Sequence, residues 1–244
     1  MSWPWRLPEQ PLRAQAISVV VLGAIGAAFA AAAANHYLLR LGVLYPVKAA
    51  AIFSAVALAA AGGLVDSHPH PSFGAANVVT TTRVWLLALI GATLGEPSGA
   101  TTTAYAAALT VIAVVLDGAD GWLARRSGAS SAFGARYDME VDALLVLVLS
   151  LLVWQAGKAG VWIVLAGCMR YLFLGAASVW RWLAAPLPPS RRRQAMCVVQ
   201  VVGLGAVLSP LLADGTAVGL AALTLAALLY SFLVDVVWLR RQHA

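Results

Sequence analysis

Eight apolar runs, each close to the length needed to cross a bilayer, account for almost the whole chain. A membrane helix needs about 20 mostly apolar residues. The runs lie near 14–35, 44–64, 77–94, 101–126, 135–154, 160–182, 191–212 and 215–241. Stretches that cannot continue a helix separate them, among them the proline-bearing 66–74, Glu96-Pro97-Ser98-Gly99, the Gly/Ser loop 127–134, the proline-rich 185–190 and Asp214-Gly215. Only 11% of residues are charged, against roughly 25% in a soluble domain, so something other than water must cover the surface. These features specify an all-α, polytopic transmembrane helical bundle. Arg6 and Arg13 precede the first run, and its alanines imitate a signal-peptide cleavage site. The run is nevertheless long enough to span, and an uncleaved first helix is expected.

The formal charge is +6, which in a soluble protein would hint at nucleic acid. Here the basic residues flank apolar runs, so no nucleic-acid partner is expected; they serve as topology signals and phosphate contacts. With eight spans, Arg6, Arg13, Arg125, Arg126, Arg136, Arg181, Arg191 to Arg193, Arg240 and Arg241 all fall on one side, which should be the cytoplasm. Arg40, Lys48 and Lys158 depart from that pattern. Cys168 and Cys197 lie inside apolar runs without disulfide or metal-ligand spacing and should be buried free thiols.

Carboxylates inside apolar helices are expensive, at least ~2.5 kcal/mol each at the bilayer centre, and so mark function. Five fall in one window: Asp117, Asp120, Asp138, Glu140 and Asp142. Asp117 and Asp120 share one helical face, and Asp138 and Asp142 share another. The loop between the two helices is short, so the helices should be antiparallel neighbours with two carboxylate pairs facing each other. Four anions that close repel unless cations join them, and an oxygen-only donor set suits Mg²⁺ or Mn²⁺, with room for two ions bridged by phosphate oxygens. Gly121 and Ala124 on the Asp117 face, and Gly134 one turn before Asp138, leave space for a ligand. Arg125 can set a guanidinium on a phosphate. Glu140 lies about 200° round the helix from Asp138, off the metal face, and suits an arginine partner. A proton or cation pathway through a transporter is the competing use of such carboxylates, although a relay does not require the Gly, Ala and Arg spacings.

The string Asp-x2-Asp-Gly-x2-Ala-Arg-x8-Gly-x3-Asp-x3-Asp, from Asp117 to Asp142, resembles the signature of the CDP-alcohol phosphotransferase family at every fixed position. Asn77, Thr80 and Arg83 are similar to the Asn-x2-Thr-x2-Arg start of the family's first core helix, with Ala76 where a proline is usual. The resemblance implies a six-helix catalytic core over 77–241, preceded by two extra helices in 1–76 with no evident role. It implies that Asp117, Asp120 and Asp138 hold the metal ions and the donor pyrophosphate. Asp142 would be the general base on the acceptor hydroxyl and touch the second ion. Gly121, Ala124, Arg125, Gly134, Asn77, Thr80 and Arg83 would shape the nucleotide-phosphate site. The implied reaction moves a substituted phosphoryl group from a CDP-linked donor lipid, by analogy CDP-diacylglycerol, to an alcohol acceptor with release of CMP, in phospholipid biosynthesis. The opposite arrangement, CDP-choline or CDP-ethanolamine donating to a lipid alcohol, uses the same motif. A homodimer among membrane lipids, in a bacterial inner membrane with its site toward the cytoplasm, is also implied.

Several residues carry two readings. Arg136 and Arg170 are the nearest cationic candidates for a phosphorylated acceptor, with Arg191 behind them; Arg170 pairs equally well with Glu140 or an Asp. Arg83 either contacts nucleotide phosphate or reaches toward the membrane interface. Arg191 to Arg193 suit topology and anionic headgroups. Asp235 should pair with Arg240 at its helix end. His68 and His70 should hold no metal, and Trp122, Trp154 and Trp182 should be interfacial anchors.

Overall fold

A lipid interior offers no partner to a peptide group, so a spanning segment must satisfy its own backbone, and helices do this residue by residue. In a computed structural model, which describes residues 12–67, 75–127 and 132–243, the eight apolar runs are eight α-helices, and no strand occurs among the described residues. They are α1 (Leu12–Ala34), α2 (Tyr45–Ser67), α3 (Ala75–Gly91), α4 (Ala100–Ser127), α5 (Ala132–Gln155), α6 (Val164–Val179), α7 (Arg191–Leu208) and α8 (Asp214–His243). Among the described residues, four helical segments are long and apolar enough to cross a membrane: Ile17–Leu39, Ala100–Gly118, Val161–Val179 and Asp214–His243. α2 and α3 carry shorter apolar stretches, Tyr45–Ala61 and Val78–Gly91. α5 carries charges from Arg136 to Asp142 within its first half, and α7 carries Arg191 to Arg193 in its first turn. His68, His70, Arg6 and the Gly/Ser loop at 128–131 lie outside the described residues.

The chain forms two compact units, Met1–Pro97 with Ala108–Asp142, and Ser98–Ala107 with Ala143–Ala244. In the first, α1, α2 and α3 pack together around Ala27, Phe53, Ala57, Val84 and Ala88, joined by Tyr137 and Val141 of α5. α1 runs on into a short π-helical turn, Asn35–Leu39. The Asn35 side chain then brackets Leu41, accepting from its N–H at 2.5 Å and donating to its carbonyl at 3.2 Å. Arg40 between them takes a left-handed conformation at φ 53°. Lys48 of α2 donates to the Glu96 carboxylate at 2.5 Å and to the Leu94 carbonyl at 3.0 Å, and the Gly42 N–H also donates to Glu96. The Lys48 hydrogen bond outweighs desolvation and holds the Glu96 carboxyl below the ordinary carboxylate range. The fully buried Tyr45 donates its hydroxyl to the Leu89 carbonyl at 3.0 Å. Lys48, one of the basic residues that broke the charge pattern, thus has its counter-ion in the loop after α3.

In the second unit α5 ends at a glycine-terminated cap. Gly157 sits at φ 68°, its N–H donates to Trp154 O, and the Lys158 N–H donates to Val153 O. Lys158, another departure from the charge pattern, donates to Asp214 at the start of α8 at 2.8 Å. A Cβ on Gly167 of α6 would lie 2.4 Å from the Leu147 backbone of α5, so this contact requires glycine. Cys168 and Cys197 are half-buried rather than buried, and no disulfide joins them.

Asp235 departs from expectation. Its partner is not Arg240 but the start of α7, where Arg192 Nη2 donates to it at 2.5 Å and Arg193 Nη1 at 3.1 Å. Arg192 also donates to the Ser231 hydroxyl at 2.8 Å. Two of the three arginines read as topology signals therefore knit α7 to α8. The reason is geometric: α7 and α8 are packed along their length, and a carboxylate at 6% exposure takes the cations that this packing brings to it. Asp235→Ala leaves two adjacent guanidinium groups without their anion. The expected loss is on the order of 2 kcal/mol, below the ~3–5 kcal/mol of a fully buried pair, since the arginine side chains keep 25% and 31% exposure. A lowered unfolding midpoint, with a smaller drop for Asp235→Asn, checks this.

Candidate active site

Three helices of the first unit build the site. Asp117 lies in the C-terminal half of α4, and Asp138 and Asp142 stand one turn apart in the first half of α5. One oxygen from each lies within 4.8 Å of the others. The helical spacing of the aspartates and the short loop between α4 and α5 are what make this convergence possible.

A fourth group completes the cluster. Arg83 of α3 has a side chain only 2% exposed, and its guanidinium pairs with all three carboxylates. Nη1 lies 2.9 Å from Asp117 Oδ1 and also donates to Asp138, while Nη2 donates to Asp142. The arginine is thus sealed beneath the cluster, while the carboxylate side chains stay 21–38% exposed above it. Alongside, the Thr81 and Tyr137 hydroxyls meet at 3.3 Å and link α3 to α5 beside Asp138.

One guanidinium against three carboxylates leaves two formal negative charges in a partly desolvated space. The donor set is all oxygen, converges on one point and is open on one side. These properties fit a divalent cation of the Mg²⁺ or Mn²⁺ kind. Among the other expected site residues, Thr80 is buried on α3, Gly134 is half-buried, Arg136 is exposed and Glu140 is half-buried outside the trio. Arg170 is half-buried on α6, in the second unit. Asp120, Gly121, Ala124, Arg125 and Asn77 are helical in backbone, Asp120 one turn after Asp117; their side chains lie outside the described residues.

The sequence profile of the CDP-alcohol phosphatidyltransferase family matches residues 73–234, about two thirds of the chain. The protein belongs to this family. No curated protein and no solved structure gave a match. As a CDP-alcohol phosphatidyltransferase it is a membrane-embedded enzyme that transfers a substituted phosphate group, moving a phosphatidyl group from a CDP-alcohol to an acceptor. The family is generally dependent on divalent metal, which agrees with the donor set described above. The matched segment contains the whole carboxylate cluster and Arg83, and begins after α2.

Sequence alone did not assign Arg83 to the carboxylates. A signal was present: an arginine within an apolar helix needs anions, and the chain concentrates its intramembrane anions in one window. What pattern could not supply was the packing of α3 beside α5.

Proposed function

We propose that the protein transfers a phosphatidyl group from CDP-diacylglycerol to a small alcohol and releases CMP, with Asp117, Asp120, Asp138 and Asp142 as the metal ligands and Asp142 as the general base. The observation that carries this is the convergence of Asp117, Asp138 and Asp142 within 4.8 Å, at the spacings that mark the family signature.

In this mechanism the aspartates hold one or two Mg²⁺ or Mn²⁺ ions, which supply positive charge against the donor pyrophosphate and the charge that grows on departing CMP. An Asp142 carboxylate oxygen takes the proton of the acceptor hydroxyl. The acceptor oxygen attacks the phosphorus that bears the diacylglycerol, in line with the bond to CMP. A new P–O bond forms, the bond to the CMP oxygen breaks, and CMP leaves with that electron pair. Arg83 holds the carboxylates in register from below. Gly121, Ala124 and Gly134 leave room for the cytidine, Arg125 meets a donor phosphate, and Asn77 and Thr80 line the α3 side. Arg136 and Arg170 serve the acceptor. The catalytic core is 77–241, with 1–76 appended, and the working form is a homodimer in a bacterial inner membrane with the site facing the cytoplasm. The arginine-rich segments that share one side support that orientation.

Asp117→Ala removes a metal ligand outright. Metal-dependent binding of CDP-diacylglycerol should weaken by more than the ~10–100-fold that loss of a supporting partner costs. Equilibrium binding of the donor across a Mn²⁺ titration checks this, and an affinity equal to that of the unaltered protein would remove Asp117 from the metal site.

A further inference from the structure

The helices α1 and α2 precede the family match and have no part in the chemistry above, yet they share a compact unit with the carboxylate cluster. The packing of α1 against α2 and α3 is specific. A Cβ on Gly26 of α1 would lie 2.5 Å from Trp85 Cζ2 and 2.6 Å from Cη2, and one on Gly23 would lie 2.2 Å from Phe53 Cζ. Such separations are far inside van der Waals contact, so the two rings occupy the space that side chains at Gly23 and Gly26 would need. Phe53 of α2 and Trp85 of α3 meet edge to face, with centroids 6.3 Å apart. The indole is therefore wedged between α1 and α2, on the helix that carries Arg83 two residues away.

The same core reaches beside both carboxylates that α5 gives to the cluster. Val84 is adjacent to Arg83, Tyr137 to Asp138, and Val141 to Asp142, and all three belong to the cluster built on Ala27, Phe53 and Ala57. Adjacent helical residues point about 100° apart. One face of α3 and α5 thus carries the charges; the neighbouring face of α3 packs on α1 and α2, and Tyr137 and Val141 of α5 join the same apolar cluster. A helix with its side chains has a radius of about 5–6 Å, so a rotation of roughly 10° moves a carboxylate tip by about 1 Å. A displacement of that size is enough to spoil a catalytic arrangement, at a cost of up to ~10²-fold.

We propose that α1 and α2 are a positioning element for the active site: the Gly23/Gly26 sockets, Phe53 and Trp85 set the rotation of α3 and α5 and thereby the spacing of Arg83, Asp138 and Asp142. This rests on the carboxylate cluster being the metal site. Gly26 and Trp85 are positioning residues and touch neither substrate nor metal.

The test uses the full-length protein in detergent and follows Mn²⁺ binding by the resonance signal of the free ion, beside thermal melting. Gly26→Ala should raise the Mn²⁺ concentration for half-saturation by about tenfold or more, the range for a lost supporting contact. Adding Trp85→Phe, which removes the ring atoms nearest the new methyl group, should restore it. Gly203→Ala is the control: its Cβ would lie 2.3 Å from Thr224 Cγ2 in the other unit, so it should lower the melting temperature and leave Mn²⁺ binding unchanged. If Gly26→Ala yields no folded protein, Phe53→Leu carries the same prediction through a void in place of an overlap. Unchanged Mn²⁺ binding in folded Gly26→Ala overturns the proposal, provided Asp117→Asn loses binding in parallel. Were Asp117→Asn also to bind normally, the metal site itself would be wrong, and the positioning role would fall with it.

Discussion

Asp142→Asn is expected to lower CMP formation by about 10²–10⁴-fold, the range for a positioned general base, while donor binding changes far less. The amide matches the carboxylate in shape and keeps an oxygen toward Arg83, so the cluster retains its packing. What disappears is the capacity to accept the acceptor's proton. Asp142 suits that task because it is the last carboxylate along α5, one turn beyond Asp138. Its own partner is Arg83 Nη2, whereas Asp117 and Asp138 share Nη1. The check is a comparison of single-turnover CMP release with donor affinity in the same preparation. A variant with normal turnover removes the base assignment. A variant that loses donor binding in proportion to turnover makes Asp142 a ligand only.

Arg83→Gln should have the largest effect on the resting protein. With the guanidinium gone, three carboxylates share a space within 4.8 Å with none of its positive charge. Breaking a buried ion pair costs about 3–5 kcal/mol when the other charge stays behind, and Arg83 is buried to 2% exposure. In chelator the melting temperature should therefore fall by several degrees or more. Saturating Mg²⁺ should recover much of that loss, because a divalent ion supplies the missing positive charge and a ligand bound only to the folded state stabilises it. Arg83→Lys keeps the charge but loses the planar fork that reaches Asp138 and Asp142 from separate nitrogens, and should fall between the two. Melting in chelator and in Mg²⁺ for all three proteins checks this. A Gln variant that melts like the unaltered protein in both conditions contradicts the clamp.

The helices were legible because their cause is local. Run length, and breakers such as Glu96-Pro97-Ser98-Gly99 and Asp214-Gly215, decide where each begins and ends. The convergence of Asp117 with Asp138 and Asp142 was legible for the same reason: two helices joined by a short loop bring fixed helical spacings together. Partner choice across distant helices was not legible. Asp235 lies five residues before Arg240, yet it pairs with Arg192 and Arg193, 43 and 42 positions away, because α7 and α8 pack together. For Arg83 the sequence offered a nucleotide phosphate or the membrane interface, and neither use names the three carboxylates it pairs with from α3. Lys48 and Lys158 looked like departures from the charge rule, and each has its carboxylate nearby, in Glu96 of the loop after α3 and in Asp214 at the start of α8. The role of α1 could not be read from its alanines either, since the meaning of Gly26 depends on the indole opposite it.

The most direct test of metal-dependent phosphatidyl transfer at the Asp117–Asp138–Asp142 cluster is CMP release by the purified protein. CDP-diacylglycerol would be supplied with a panel of alcohols, in Mg²⁺, in Mn²⁺ and in chelator, with CDP-choline and a lipid alcohol as the reversed pair. The expected result is CMP formed from CDP-diacylglycerol with an acceptor of the panel, only when metal is present. CMP formed equally in chelator, or formed only from the reversed pair, would contradict it.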